Sequence, residues 1–203
     1  ELLVEMALGA STRPVFISDS GDNPTAGAAG DSPLILEALV ARRAQNVLVA
    51  GIADPTAVTA CFEAGSGRTV RLSLGGKLDR TFAQPYEVEA VVERLAPEAD
   101  GMAALAIVRV DGVTVVVQSD RSPFTELRQF ELAGIDIDAW AAIVVKLGYL
   151  FPELRDVAAQ HIMALSPGFT DECIERLPYR RLHRPIYPLD GDARWEPTDP
   201  PGA

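Results

Sequence analysis

The sequence predicts an α/β fold, in which flanking helices cover a mixed sheet, and three observations predict it. Strand and helix patterns alternate along the first third of the chain, as in proteins with parallel strands. Residues 69–118 change to the alternation of apolar and polar residues that is typical of antiparallel strands. A hydrophobic content of 48% over 203 residues is enough to bury a core. We therefore expect a parallel βαβ-type start followed by a β-rich antiparallel middle.

The parallel start is predicted from two pairs of a strand and a helix. Each strand is a short apolar run, and each helix begins beside a proline, whose missing amide proton costs nothing there. Asp31 is expected to cap the first helix, with Pro33 in its first turn. Asp54 is expected to cap the second helix, which Gly65 closes. The predicted strands are 13–18 and 46–52, and the predicted helices are 34–44 and 55–64.

The antiparallel middle is centred on Asp111-Gly112, a dipeptide that readily adopts the positive φ values of a tight hairpin turn. Later patterns predict two helices, at 123–133 and 152–165, and a buried strand between them at 141–145. The four strands predicted for the middle are 69–74, 86–95, 104–110 and 113–118.

The two ends of the chain differ from its body. Residues 1–8 have the pattern of a helix with no initiator methionine, which is typical of a piece of a longer protein. After Leu177 a proline recurs every few residues, which predicts a strap across the surface without regular elements. We expect one domain over residues 1–190 and a proline-rich tail over 191–203.

Composition excludes several classes of function. The formal net charge of −11 and the pI near 4.6 oppose binding to nucleic acid or to an anionic membrane surface. No apolar run approaches the roughly 18 residues that a membrane-spanning helix needs. The two cysteines, Cys61 and Cys173, are too few for a disulfide framework. We therefore expect a cytoplasmic protein with no nucleic-acid or membrane partner.

An acidic loop of small residues, SDSGDNPTAGAAGD at 18–31, follows the first strand. A phosphate-binding loop would need a lysine where Asp31 stands, and the glycine spacing does not fit the dinucleotide-binding motif. The carboxyl end of a strand remains the usual place for ligands in open α/β sheets. The loop therefore predicts either a ligand site, with Asp19, Asp22 and Asn23 among its residues, or a purely structural role in helix capping and Asx turns.

A second candidate segment is Val145-Lys146-Leu147-Gly148-Tyr149, at the end of the strand predicted over 141–145. Lys146 is suited to bind a substrate carboxylate or to pair with an aspartate of the acidic loop. An ordinary surface salt bridge is an equally good interpretation of the lysine.

Motifs for a self-contained catalytic site are missing from the sequence. Its two histidines, His161 and His183, do not stand at the spacing of zinc ligands, and no Cys-x-x-Cys occurs. No serine stands in a Gly-x-Ser-x-Gly elbow, and Cys61 lies in the middle of a predicted helix, where we expect it to be packed. We therefore predict no metal site and no cofactor in this chain.

Five segments in order resemble the C-terminal domain of the MlrC-type proteins, which are named for a microcystin-degrading enzyme and grouped with the M81 metallopeptidases. Here Thr25 and Ala26 replace two glycines of the family's loop, and Leu150-Phe151 stands where some members have a histidine-phenylalanine pair. The matching segments are the loop 22–31, Asp54-Pro55, Leu74-Gly75-Gly76-Lys77, the segment 145–149 and the ending 177–190.

The resemblance implies a zinc-dependent hydrolase of peptide or other amide bonds. In that family the zinc ligands lie in a larger N-terminal domain. The expected partners of this chain are therefore that domain and a small peptide or amide substrate. A homo-oligomer is a further expectation. This chain would line the substrate cleft. The implied cleft residues are Asp19, Asp22, Asn23, Gly27, Gly30, Asp31, Lys146 and Tyr149. The rival hypothesis is a non-catalytic binding or oligomerisation module, in which the loop only caps a helix.

Overall fold

The structure is a computed structural model, and it describes residues 5–7 and 9–194. The described strands are β1 (Val15–Asp19), β2 (Val47–Ala53), β3 (Thr69–Leu74), β4 (Tyr86–Ala96), β5 (Leu105–Val110), β6 (Val113–Gln118), β7 (Ala142–Val145) and β8 (Gln160–Ala164). They form one sheet in the order β3-β4-β5-β6-β2-β7-β1-β8.

Strand direction divides the sheet into two parts. In one part, β6, β2, β7, β1 and β8 lie side by side, and each pairs parallel with the next. The strands β3 to β6 pair antiparallel. The predicted fold class is therefore confirmed, including the parallel start and the antiparallel middle, and β7 is the strand that separates β1 from β2 in space.

Helices cover both faces of the sheet, because side chains of a buried strand alternate between its faces. The helices are α1 (Leu34–Ala41), α2 (Pro55–Ala64), α3 (Leu127–Leu132) and α4 (Pro152–Val157). Val15 and Ile17 of β1 join the core under α1 and α2, while Phe16 joins the core under α3 and α4. The central strands β2 and β7 therefore contain no polar side chain.

The predicted hairpin at Asp111-Gly112 is confirmed. Val110 of β5 faces Val113 of β6 across a two-residue turn, and Asp111 has a φ of 52°. The neighbouring strand β4 is long enough to serve two partners, since its first half pairs with β3 and its second half with β5. The end of β3 thereby reaches the loop that follows β1, where the amide of Gly76 donates to the carbonyl of Asp31 over 2.7 Å.

The helix predicted over 152–165 is wrong in its second half. Residues 152–157 are helical as expected, but Gln160–Ala164 forms the edge strand β8, which pairs with β1 along its whole length. The spacing of apolar residues is compatible with a helix, but pairing with β1, whose partner residues lie 145 positions earlier in the chain, overrides that local preference. His161 therefore lies on a strand, where its Nε2 is 2.9 Å from Ser18 Oγ.

The two predicted helix caps have different outcomes. Asp54 caps α2 as expected, because its carboxylate accepts a hydrogen bond from the amide of Ala57. The cap predicted at Asp31 is wrong, since Pro33 stands at the cap position of α1 and the amide of Leu34 donates to Ser32 Oγ over 3.4 Å. The carboxylate of Asp31 is bound elsewhere, to the segment after β3.

At the chain ends, residues 5–7 are helical, and the rest of the helix predicted for 1–8 lies outside the described residues. Residues 178–194 contain no helix or strand, as expected of a strap, and the predicted tail lies outside the described residues from position 195 onwards. The division into a domain at 1–190 and a tail at 191–203 stays a prediction. Within the described ranges, no helix has the length and apolar character needed to cross a membrane.

Candidate functional site

The candidate site is the edge of the sheet at which the parallel strands end. The acidic loop leaves β1 there, Asp54 follows β2, and Lys146 follows β7. Strands that are distant in sequence therefore bring the predicted site residues together. Four aspartates and one lysine are buried at this edge: Asp19, Asp22, Asp31, Asp54 and Lys146.

Lys146 is the centre of the site, and only 2% of its surface is exposed. Its Nζ lies 2.8 Å from Asp19 Oδ2 and 2.9 Å from Asp22 Oδ2. The same ammonium donates to the backbone carbonyl of Ser32. An ammonium has three N–H donors, so these three acceptors satisfy all of them. Of the alternatives that the sequence left open, pairing with the acidic loop is the one observed.

Electrostatics favour the charged form of this lysine. Burial by itself lowers the pKa of Lys146, because an ammonium loses its hydration in the interior. The carboxylates of Asp19 and Asp22 outweigh that effect through their charge and hydrogen bonds, and the net pKa lies above the ordinary value of 10.5. Lys146 is therefore a structural cation and not a base for proton transfer at neutral pH.

The carboxylate of Asp22 closes the acidic loop on itself. Its two oxygens accept hydrogen bonds from the amides of Gly30 and Ser32, each over 2.7 Å. Gly30 has a φ of 72°, and an added Cβ would lie 2.7 Å from Pro24 Cγ, so this closure requires glycine. Asp22 therefore fixes the shape of the loop while it also pairs with Lys146.

Asp31 joins the loop to the segment after β3. Its Oδ2 accepts hydrogen bonds from the amides of Lys77 and Leu78 over 2.7 and 2.6 Å. Burial raises the pKa of Asp31, although the two amides oppose that shift. Beside it, Asp54 accepts from the amide of Gly75 over 2.9 Å and pairs with Lys77 Nζ at 2.8 Å. The segment Gly75-Gly76-Lys77 is thus bound by two buried carboxylates.

Asn23 forms an Asx turn around Pro24, as the structural interpretation of the loop predicts. Its Oδ1 accepts hydrogen bonds from both the amide and the hydroxyl of Thr25. Gly27, with a φ of 107°, ends the short turn that follows and lies at the exposed tip of the loop. The assignment of these residues to a substrate cleft stays a prediction, as it does for the buried aspartates.

Beyond the buried charges, large apolar side chains at the same edge face solvent. Tyr149, after β7, is 76% exposed, and Phe169, after β8, is 66% exposed. Leu78, after β3, is 57% exposed. We call these three side chains and the loop tip 25–27 the rim. Tyr149 and Gly27 were predicted as site residues, but Leu78 and Phe169 were not. Leu78 follows a predicted strand closely, whereas Phe169 follows β8, which the sequence pattern did not reveal.

The residues of this edge do not fit a metal ion. Within the described parts of the chain, no group of three or more histidine, cysteine, aspartate or glutamate side chains is arranged to hold one. The clustered aspartates are instead neutralised by Lys146 and Lys77 and by backbone amides. Cys61 is packed in the core as expected, and burial, assisted by the charge of Asp54, raises its pKa to about 11.

Comparison with known proteins identifies the family. The MlrC C-terminus family matches residues 17–181, and the chain belongs to that family. Microcystinase C from Sphingomonas sp is 31% identical over 134 residues, which are 66% of this chain and 24% of that protein. A crystal structure of a protein described as a putative metallopeptidase, from Mesorhizobium sp. BNC1, superimposes with a TM-score of 0.77 at 26% identity. That match covers 95% of this chain and 41% of the other. The chain therefore spans less than half of either relative.

Proposed function

We propose that this chain is the C-terminal domain of a zinc-dependent hydrolase of peptide or other amide bonds, and that the rim lines its substrate cleft. Family membership and the names of the two relatives support the class of hydrolase. The observation that carries the proposed place in the cleft is the exposure of Tyr149 and Phe169 beside a rigidly held loop at the carboxyl edge.

The rim is suited to face another surface. Exposed apolar side chains that gather at one place mark sites of contact with a ligand or with protein, whereas scattered ones are ordinary. The matched parts of this domain cover 24% of one relative and 41% of the other, so both relatives contain much more polypeptide. We propose that the metal-binding domain of the longer protein faces the rim and that substrate lies between them.

In this proposal the buried charges act on substrate only through the loop. Asp22 and Lys146 hold the loop, and Asp31 holds the segment that ends at Leu78. A loop fixed in this way presents its tip without a further ordering cost when substrate binds. Asn23 has the same role, because its amide oxygen shapes the turn at Thr25.

Zinc is the metal that the family resemblance implies, and we propose that residues outside this chain hold it. Such an ion would supply a water of lowered pKa for hydrolysis. The proposal also places the protein in the cytoplasm, in keeping with the free thiols of Cys61 and Cys173.

A second candidate function is a binding or oligomerisation module without a part in chemistry. The observation in its favour is that the carboxylates of Asp22 and Asp31 are bound to the protein's own backbone. In this alternative the rim is covered by a second copy of the chain or by a neighbouring domain, and substrate never reaches it.

Kinetics of the longer protein distinguish the two functions. The variants Tyr149→Ala and Phe169→Ala are compared with Phe62→Ala, a change of an exposed phenylalanine on α2. We expect the rim variants to lower kcat/KM for a panel of peptide amides by about tenfold, the effect of losing roughly 1.4 kcal/mol of transition-state binding. Phe62→Ala should leave kcat/KM unchanged.

The alternative makes a different prediction for the same variants. An assembly role would change the molar mass in light scattering in proportion to any loss of turnover. Unchanged kcat/KM in both rim variants, with the fold and the mass preserved, would contradict a role of the rim in the cleft.

A further inference from the structure

A small depression lies beside the tip of the acidic loop, and Leu78 and Phe169 of the rim form part of its lining. Its volume is about 280 Å³, and residues that follow four different strands line it. They are Gly27, Ala29, Leu78, Asp79, Arg121 and Phe169. A volume of this size accommodates one side chain and a terminal group, since sites for whole drug-sized ligands are roughly 300–1,000 Å³.

Arg121 is the cation of this depression. Its Nη2 donates to the backbone carbonyl of Ala28 over 2.6 Å and lies 3.4 Å from the carbonyl of Gly27. The guanidinium is therefore held against the loop by one of its nitrogens. Among the described residues, no carboxylate lies within ion-pair distance of Arg121, although the chain has 29 acidic residues. The acidic neighbour Asp79 accepts from the amide of Thr81 in its own loop.

We propose that this depression binds a carboxylate attached to an apolar group, such as the C-terminal residue of a peptide. Arg121 anchors the carboxylate, and Phe169 and Leu78 contact the apolar side chain. The inference deepens the proposed function, because it assigns a substrate class to one part of the rim. The position of the depression in a substrate cleft rests on the proposed function. Binding of a carboxylate to the depression can be measured on this chain alone.

Charge and shape favour a carboxylate over a larger anion. Arginine donates two parallel hydrogen bonds to a carboxylate, and the hold on Nη2 limits the orientations of the guanidinium. A dianion such as phosphate would meet the negative charge of Asp79 and of the chain as a whole, whose formal charge is −11. Phosphate also lacks an apolar part to cover Phe169.

A second depression provides an internal comparison. It lies on α2, has a volume of about 510 Å³, and includes Val58 and Phe62 in its lining. Its charged lining residues are Glu63 and Glu98, and none is lysine or arginine. Apolar attraction alone would direct an aromatic probe to this larger depression, whereas recognition of a carboxylate would direct it to Arg121.

The experiment is an NMR titration of the 203-residue chain, labelled with nitrogen-15, against N-acetyl-L-phenylalanine, its amide and inorganic phosphate. We expect the carboxylate probe to shift the amides of Gly27, Ala29 and Leu78, with an affinity at least about tenfold above that of the other two probes. Arg121→Met should remove that preference, and Arg128→Met, a change of an exposed arginine on α3, should keep it.

Three results would overturn the inference. The first is equal binding of the acid and the amide, the second is unchanged affinity in Arg121→Met, and the third is shifts confined to Val58 and Thr59 on α2. Because the titration involves no turnover, its outcome is independent of the rim variants. If the chain binds the carboxylate but the rim variants hydrolyse normally, this inference stands and the proposed function is contradicted. If the rim variants lose activity but the carboxylate does not bind, the proposed function stands and this inference is contradicted.

Discussion

The interior and the rim of one sheet edge differ in how their side chains are used. In the interior, Asp22 and Lys146 are buried, and each reaches several partners within the chain. At the rim, Tyr149 and Phe169 project into solvent. The buried aspartates and Lys146 therefore hold this edge of the sheet together, whereas the rim offers a ligand mainly exposed apolar side chains.

This difference follows from the energetics of burial. A charged group is stable inside a protein only when opposite charges and hydrogen bonds replace its hydration. A set of buried aspartates is therefore expected to be fully engaged, as those around Lys146 are. Exposed aromatic side chains carry no such constraint, so their grouping at one edge is the better indicator of function.

The largest effect should come from removing the central cation. Lys146→Met leaves the carboxylates of Asp19 and Asp22 buried without their counter-ion, and breaking such a pair costs about 3–5 kcal/mol of unfolding free energy. The matched control is Lys77→Met, whose side chain is 27% exposed in the wild type and whose partner Asp54 retains two amide donors. We expect a clearly smaller loss for the control. Urea denaturation of both variants measures the difference, and equal losses would contradict the distinction.

Alkaline pH should weaken the same interaction. Because the folded-state pKa of Lys146 is raised, its contribution to stability is fully present below the unfolded pKa of 10.5. That contribution is lost as the pH rises through the higher folded-state pKa. In denaturation series above pH 10, the wild type should therefore lose stability more steeply than Lys146→Met. If the unfolding free energies of the two proteins fell equally with pH, the pairing of Lys146 with Asp19 and Asp22 would be contradicted.

The next effect concerns the contact between the acidic loop and the segment after β3. Gly75 has a φ of 64°, and an added Cβ would lie 2.2 Å from the carbonyl oxygen of Asp31. Gly67 has a φ of 79°, but a Cβ there meets no atom within 4 Å. Gly67→Ala should cost about 1 kcal/mol from backbone strain alone. Gly75→Ala should cost more, because the backbone must also move away from Asp31. Similar melting temperatures for the two variants would show that the contact is unimportant.

Local patterns predicted most of the fold. The strands β1 to β7, the hairpin at Asp111-Gly112 and the cap at Asp54 all follow from short-range periodicity and turn chemistry. The edge strand β8 was missed, because its pairing with β1 is non-local and its apolar spacing also suits a helix. Asp31 was assigned to the wrong partner for the same reason, since its partners are 46 and 47 residues away along the chain.

The sequence predicted where the candidate site lies, but not which of its residues are buried and which face solvent. The carboxyl end of a strand indicated the loop, and the end of β7 indicated Lys146 and Tyr149. Which of these residues is buried depends on packing between strands that are distant in sequence, so Tyr149 and Asp22 were predicted alike. Arg121 was missed, although it stands three residues after β6, because a single arginine between acidic and polar residues has no periodic signature.

The smallest expected effect is a difference in reactivity between the two cysteines, which involves no change in the free energy of unfolding. Cys61 is fully buried on α2 with a pKa of about 11, so little thiolate exists at pH 8 and reagent cannot reach it. Cys173 is only partly buried and lies four residues after Phe169 of the rim. With Ellman's reagent at pH 8, we expect one thiol to react quickly and the second only after unfolding in urea. Cys173→Ser should abolish the fast reaction with no change in unfolding free energy, and a fast phase that persists in this variant would mean that the core beneath α2 opens to solvent.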